Sequence, residues 1–288
     1  MIYGSPYMNL EKIVSRLHYR TEIEQAVLQK IRKDEKLIEE LAGTAYHGEN
    51  FHFALCKRMP LTRLAVVTYL LVHQYDAYKS KEIPDEIIFD TFRDVSLRAN
   101  LYYEKNGKAG ISKEDVIWFR HIMQVGIFQI GTLQFQPFEM LYLDEETIGK
   151  PYMTFAKGQK ELLPNGTPVL NCHIQQGADL SPQSVETSFQ EAKRFFSKYF
   201  PTIEYKAFLC YSWLLYPPMQ KQLSDQSNIK QFANHFSIIG FCHDPEQAIE
   251  NLFGHGTRKE LSHHATFLQK LAVEHLELFG FACGVILF

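Results

Sequence analysis

His173 sits near the end of a short alternating segment, Val169 to Ile174. Leu170, Cys172 and Ile174 fall on one face of it, and Asn171 and His173 on the other. A period of two is that of a strand. An imidazole projecting from a strand can take and release protons near neutral pH, where its unperturbed pKa lies; a histidine hydrogen-bonded beneath a sheet fits the same pattern. A second segment, Tyr205 to Leu215, is rich in aromatic and apolar residues and reads as a buried strand. Tyr211, Ser212 and Tyr216 lie on it or just after it. Their hydroxyls could give up a proton, although aromatic residues in such strands usually belong to the core, and Trp213 reads as packing.

The segments are joined by the turn Gln175-Gln176-Gly177-Ala178-Asp179-Leu180 and by a helix that opens at Ser181-Pro182. Serine before proline is a helix-start signal, because serine caps and proline gives up an N–H that has no partner there. Gly177 and Ala178 are small enough for a ligand to approach the backbone, and the unpaired N–H groups of a helix start favour an anion. The turn carries a single glycine, Asp179 adds a negative charge, and Pro182 removes one N–H. Asn228 begins a later helix, where it could touch a ligand or cap the helix; capping is the preferred reading.

Other chemistries find little support. His255, His263, His264 and His275 have no His-x-x-x-His pair and no cysteine or carboxylate in register, so no metal site is expected. Cys56, Cys172, Cys210, Cys242 and Cys283 are widely spaced without C-x-x-C, and read as reduced thiols of a cytoplasmic protein. No G-x-S-x-G, phosphate-binding P-loop or dinucleotide fingerprint occurs. A net charge of -3 and a pI near 6.5 leave no basic footprint for nucleic acid. No apolar run reaches the length of a membrane span, and Met1 to Leu10 lacks the pattern of a secretory signal.

The elements that must position these residues divide in character. Asn9 to Ala42 is helical in pattern, with apolar Ile13, Leu17, Ile23, Val27, Ile31 and Ile38. A helix from Pro60 carries one apolar stripe of Leu64, Val67, Leu71, Val72 and Tyr75. Pro84-Asp85 opens a third helix, which Gly107 to Gly110 ends, and Ser112 caps a fourth. After Gly126 short alternating segments take over: Leu133 to Gln136, an extended Phe138 to Leu143, and Val169 to Ile174 behind the turn Pro164-Asn165-Gly166-Thr167. A helix with Val185, Phe189, Ala192, Phe196 and Phe200 leads to the second strand, so the two strands should be parallel. A helix with Ile229, Phe232, Ala233 and Phe236 follows, then a strand at Ile238 to Cys242, a long helix near Lys259 to Phe279, and a last strand from Phe281 to Phe288. The expected fold is α+β: a helical N-terminal domain over residues 1–120, then a mixed sheet flanked by helices over 121–288.

Several blocks resemble a bacterial group of acyltransferase-domain proteins with a helical N-terminal domain and a GNAT-like C-terminal domain. They are Ile83-Pro84-Asp85-Glu86-Ile87 with Asp90-Thr91-Phe92, Trp118 followed by Leu133-Gln134-Phe135, and His173-Ile174 followed by Phe195-Phe196 and Tyr199-Phe200-Pro201. The last is Ser212-Trp213-Leu214-Leu215 with Pro217, Ser227-Asn228-Ile229 and Phe232. The resemblance implies transfer of an acyl group, expected to be acetyl, from acetyl-CoA or another acyl-CoA to an amine on a small molecule or peptide. By the same resemblance, His173 would deprotonate the amine, and Tyr211, Ser212 or Tyr216 would protonate the leaving thiolate. Ile174, Gln175, Gln176, Gly177, Ala178, Ser181 and Asn228 would hold the cofactor. The helical domain would cover the acceptor site or pair two chains as a homodimer. The atypical turn supports a second expectation, a binding or scaffold protein that keeps the fold without CoA affinity.

Overall fold

The computed structural model describes residues 6–254 and 265–288. The chain forms two compact units, Met1–Gln129 and Ile130–Phe288.

The first unit is helical, with α1 (Pro6–Val14), α2 (Thr21–Lys33), α3 (Glu35–Thr44), α4 (Pro60–Lys79), α5 (Asp85–Asn106) and α6 (Lys113–Met123). The helical pattern over residues 9–42 is three helices, broken where His18 turns at φ 59° and at Asp34. The other five helices all contact α4. Its residues from Arg63 to Thr68 are buried without interruption, so it is enclosed on all sides rather than along the single expected stripe. Arg63 lies inside because its guanidinium donates to backbone carbonyls of Ile111 at 3.0 Å and Arg58 at 2.9 Å. Gly107 ends α5 at φ 64°, a left-handed conformation that glycine adopts at little cost. Ser112 and Asp115 form a capping box at the start of α6.

The second unit holds β1 (Phe128–Ile130), β2 (Leu133–Glu139), α7 (Glu145–Ile148), α8 (Lys157–Leu162), β3 (Pro168–His173), α9 (Pro182–Tyr199) and β4 (Ala207–Ser212). These are followed by α10 (Pro217–Gln220), α11 (Asn228–Ala233), β5 (Ser237–Cys242), α12 (Glu246–Phe253), α13 (Phe267–Glu274) and β6 (Phe281–Leu287). One six-stranded mixed sheet runs β1-β2-β3-β4-β6-β5, with the last strand inserted between β4 and β5. β3 and β4 pair in parallel, joined through the crossover helix α9, whereas β2–β3, β4–β6 and β5–β6 are antiparallel.

Alternation along the strands builds a core on each face. Leu170 and Phe208 share a face with Phe135, against Val185, Phe189, Ala192 and Phe196 of α9. The Phe189 ring lies 4.8 Å from that of Phe208 and 6.0 Å from that of Phe135. On the other face Val169, Leu209, Cys283 and Val285 pack with Met140, Tyr142, Met153, Phe155 and Ile239. Tyr142 holds this strap down by donating from its hydroxyl to the Leu163 carbonyl at 2.7 Å.

The expected strand over 205–215 is shorter than its apolar pattern. It ends at Ser212, whose hydroxyl accepts from Leu214 N–H and starts a tight 3₁₀ turn. Phe236 lies beyond the end of α11. The described part of the last long helix is only α13, stopped at His275 and followed by a 3₁₀ turn at Leu276–Leu278; residues 259–264 of that expectation lie outside the described residues. Among the described residues, no helix is long and apolar enough to cross a membrane.

Candidate active site

The parallel strands β3 and β4 stay together only briefly. Their register runs through Leu170 with Phe208 and Asn171 with Leu209, and no further. Each strand nevertheless continues on its outer side: β3 pairs with β2 as far as His173 with Gln134, and β4 pairs with β6 as far as Ser212 with Ala282. The sheet therefore opens at its centre beyond Asn171 and Leu209 while both walls remain anchored. Main-chain donors and acceptors facing such a gap suit a ligand that pairs as a short strand would.

One face of the sheet beside the opening is polar. Asn171 and His173 project from β3, and Gln134 and Gln136, their register partners, project from β2. His173 Nε2 lies 2.9 Å from Gln136 Oε1. A carbonyl oxygen only accepts, so Nε2 carries the proton and the lone pair resides on Nδ1. Asn171 is half-buried, but its Oδ1 is fully buried with no hydrogen-bond donor from the protein. Tyr211 belongs to this face too, at the position on β4 that continues the register to His173. Its hydroxyl is engaged: it donates to the Leu141 carbonyl at 2.7 Å and accepts from Leu143 N–H at 3.3 Å. Burial, with Cys283 nearby, raises its pKa far above the usual tyrosine value.

The remaining hydroxyls lie elsewhere. Ser212 points to the α9 face, opposite His173, and caps its 3₁₀ turn. Tyr216 leads into α10; its ring is buried edge-on to Phe241, and burial raises its pKa. Trp213 is buried against Phe279, as packing requires.

The turn after β3 is closed by Ala178 N–H on the Gln175 carbonyl at 3.2 Å, and Gly177 stands at φ 79°. Nothing lies within 4 Å of where a Cβ on Gly177 would sit, so the surface there is open. Ser181 occupies the cap position of α9 with Pro182 first in the helix, as the sequence implies, but its hydroxyl caps no helix N–H and meets the Ser184 hydroxyl instead, at 3.0 Å. Asp179 takes over instead: one carboxylate oxygen accepts from Ser181 N–H at 2.9 Å, and the other from the hydroxyls of Ser181 at 2.9 Å and Ser184 at 2.6 Å. These bonds hold the Asp179 carboxyl below its ordinary pKa. The helix start thus carries an anion of its own, and the N–H groups of Gln183 and Ser184 remain as first-turn donors. Asn228 is exposed at the first position of α11 without a capping bond; Ser227 holds the cap position.

His173, Ile174, Gln175, Gln176, Gly177, Ala178 and Ser181 thus border one end of the opening, Tyr211 flanks it across the same face, and Ser212 lies on the reverse face. Gln136, which sets the His173 tautomer, was not among the residues singled out from sequence. The signal for it is the pair Gln134 and Gln136 alternating with Leu133 and Phe135 on a strand that both faces cover. Of the histidines considered for metal, His255, His263 and His264 lie outside the described residues, and His275 meets Glu277 at 3.0 Å. No metal-competent cluster occurs among the described residues.

Two family models match adjoining stretches of the chain. Residues 8–125 match an N-acyltransferase N-terminal domain, and residues 127–284, more than half of the chain, match a GNAT-like C-terminal domain. The chain belongs to the family of this GNAT-like C-terminal domain. Solved structures share the family fold. An acyltransferase in complex with decanoyl-CoA and teicoplanin superposes with a TM-score of 0.73 at 18% identity, over 96% of this chain and 87% of that one. A tryptophan-to-alanine variant in complex with octanoyl-CoA gives 0.73 at 17% identity, over 98% and 88%. An acyltransferase in complex with CoA and 10C-teicoplanin gives 0.72 at 18%, over 96% and 87%. No curated protein matches in sequence.

Within this family's C-terminal domain, the residues present fit a CoA thioester unevenly. The opened strands suit an amide-bearing arm, whereas Asp179 stands where a phosphate group would meet the start of α9.

Proposed function

We propose that the protein is an acyl-CoA-dependent N-acyltransferase whose acyl donor lies in the opening between β3 and β4. The observation that carries the reading is the ladder of the family's GNAT-like domain ending at Asn171 and Leu209 while both strands stay anchored outside. The acceptor is an amine on a small molecule or peptide. His173 Nδ1 takes a proton from the amine nitrogen as that nitrogen bonds to the thioester carbonyl carbon, and the Nε2–H bond to Gln136 steadies the imidazolium. Backbone N–H groups at the edge of the opening hold the oxyanion. The C–S bond then breaks, and the proton passes from His173 to the thiolate, giving an amide and free CoA.

Acetyl was the group expected from sequence. The octanoyl- and decanoyl-CoA complexes of the similar structures make medium chains an equal claim, and teicoplanin in two of them makes a glycopeptide amine the first acceptor to try. The test is thermal melting with CoA, acetyl-CoA, octanoyl-CoA and decanoyl-CoA. A ligand at 100 times its Kd stabilises the fold by about 2.7 kcal/mol, a shift of several degrees. The ester giving the largest shift identifies the donor.

A second reading, a non-catalytic binding protein, is favoured by the Asp179 carboxylate at the start of α9. Unchanged melting with all four compounds would select it.

A further inference from the structure

We propose that Asn171 is a ligand-binding residue of this site, its Oδ1 accepting a hydrogen bond from a ligand N–H at the closed end of the opening. The inference rests on the acyltransferase reading and extends it to a residue with no role so far.

Asn171 and Leu209 are the last register pair of β3 and β4, so the asparagine stands where the strands part. Its neighbours on that face are Val169 behind it, Leu209 across on β4 and Gln136 directly opposite on β2, whose Oε1 meets His173 Nε2, with Phe138, the register partner of Val169, on the diagonal. An amide in such surroundings costs stability unless its oxygen meets a donor. None of the protein's groups supplies one to Oδ1. Leucine would fill the same place with no polar atom to satisfy, so packing does not explain the residue.

His173 lies two residues on along the same face, and like-facing residues of a strand are about 6.5 Å apart. That is roughly twice a hydrogen-bond length. An N–H-bearing group between them reaches Asn171 Oδ1 with one hydrogen while its nitrogen faces the histidine. Two groups of the proposed reaction carry such an N–H near the reacting carbon. One is the amide of the CoA arm nearest the sulfur; the other is the attacking amine.

The experiment compares wild type, Asn171→Leu and Asn171→Asp, the last keeping an acceptor oxygen in place. Melting without ligand, calorimetric affinity for decanoyl-CoA and for CoA, and turnover of decanoyl-CoA with teicoplanin are measured on each. Asn171→Leu is expected to melt at or above wild type, since it removes a buried group without a partner, and yet to lose function. One lost hydrogen bond is worth roughly tenfold. A tenfold weaker decanoyl-CoA affinity, largely restored in Asn171→Asp, places the donor on the CoA arm. Unchanged affinity with a tenfold higher KM for teicoplanin places it on the attacking amine. A lower melting temperature with wild-type affinity and KM shows Asn171 to be structural and overturns the proposal, as does no change in any readout. Failure of wild type to bind CoA and each of acetyl-, octanoyl- and decanoyl-CoA overturns the acyltransferase reading, and this proposal with it.

Discussion

Replacing Tyr211 with phenylalanine separates a catalytic hydroxyl from a structural one. The ring is unchanged by the substitution, and its stacking on Phe281, 24° between planes, survives. What disappears is the hydroxyl that donates to Leu141 O and accepts from Leu143 N–H, tying β4 to the strap over the sheet. Each such bond is worth about 0.5–1.5 kcal/mol net. The Leu141 end is near solvent, where water replaces the lost donor, so the sum falls near 2 kcal/mol rather than at the upper limit. For a unit of this size, 1 kcal/mol moves the melting temperature by about 2–4 °C, so Tyr211→Phe should melt about 4–8 °C lower. Circular dichroism measures this shift, and turnover is assayed at 20 °C, where the variant remains folded. The kcat is expected to stay within about threefold of wild type, whereas His173→Ala should lose about a hundredfold or more, the usual contribution of a general base. An unshifted melting curve with a hundredfold lower kcat for Tyr211→Phe would refute this reasoning and make the hydroxyl the proton donor to the thiolate.

Three further outcomes follow from the geometry. Asp179→Ala removes the carboxylate at the start of α9 and releases Ser181 N–H, so CoA should bind severalfold more tightly at low salt; weaker binding in calorimetry would show that Asp179 organises the site instead of competing for it. Phe189→Ala empties the contact among Phe135, Phe208 and Phe236 and should cost about 3–5 kcal/mol in urea denaturation. His121 in the helical unit is held to about 4, mainly by burial and secondarily by Arg120. Its folded pKa lies below its unfolded one, so the unfolded state binds the extra proton, and stability present above pH 6.5 is lost as pH falls toward 4. Discounted for partial exposure, the loss is about 2 kcal/mol, and His121→Gln should flatten that part of the pH–stability profile.

Much of this arrangement was legible because local rules and tertiary packing agree. Val169 to His173 alternates as a half-buried strand must, and α9 repeats its apolar residues at helical spacing onto the face that Leu170 and Phe208 present. The βα turn with Gly177, the cap position of Ser181 and the place of His173 on the sheet follow from the same patterns. The ends of β4 and the long C-terminal helix did not, because an apolar run such as Tyr205 to Leu215 looks alike as a strand or as a buried tight turn. The full enclosure of α4 was hidden as well: Arg63 and Thr68 look like surface residues until their partners, backbone carbonyls of Ile111 and Arg58 and the hydroxyl of Tyr19, come into view. Two features of the site depend on register, which sequence patterns do not show. The Gln136 contact with His173 needs the antiparallel β2–β3 alignment, and the donorless Asn171 oxygen needs the point where β3 and β4 separate. Asp179 was read as a repelling charge; its actual bonds, to both serines of the helix start, make it a built-in anion.

The central claim, an acyl-CoA held between β3 and β4, is tested most directly by hydrogen–deuterium exchange with and without decanoyl-CoA. Amides of residues 172–178 and 210–213 should slow together on binding, because the donor pairs with both walls of the opening. Protection confined to other parts of the chain, with these two segments unchanged, would contradict the account.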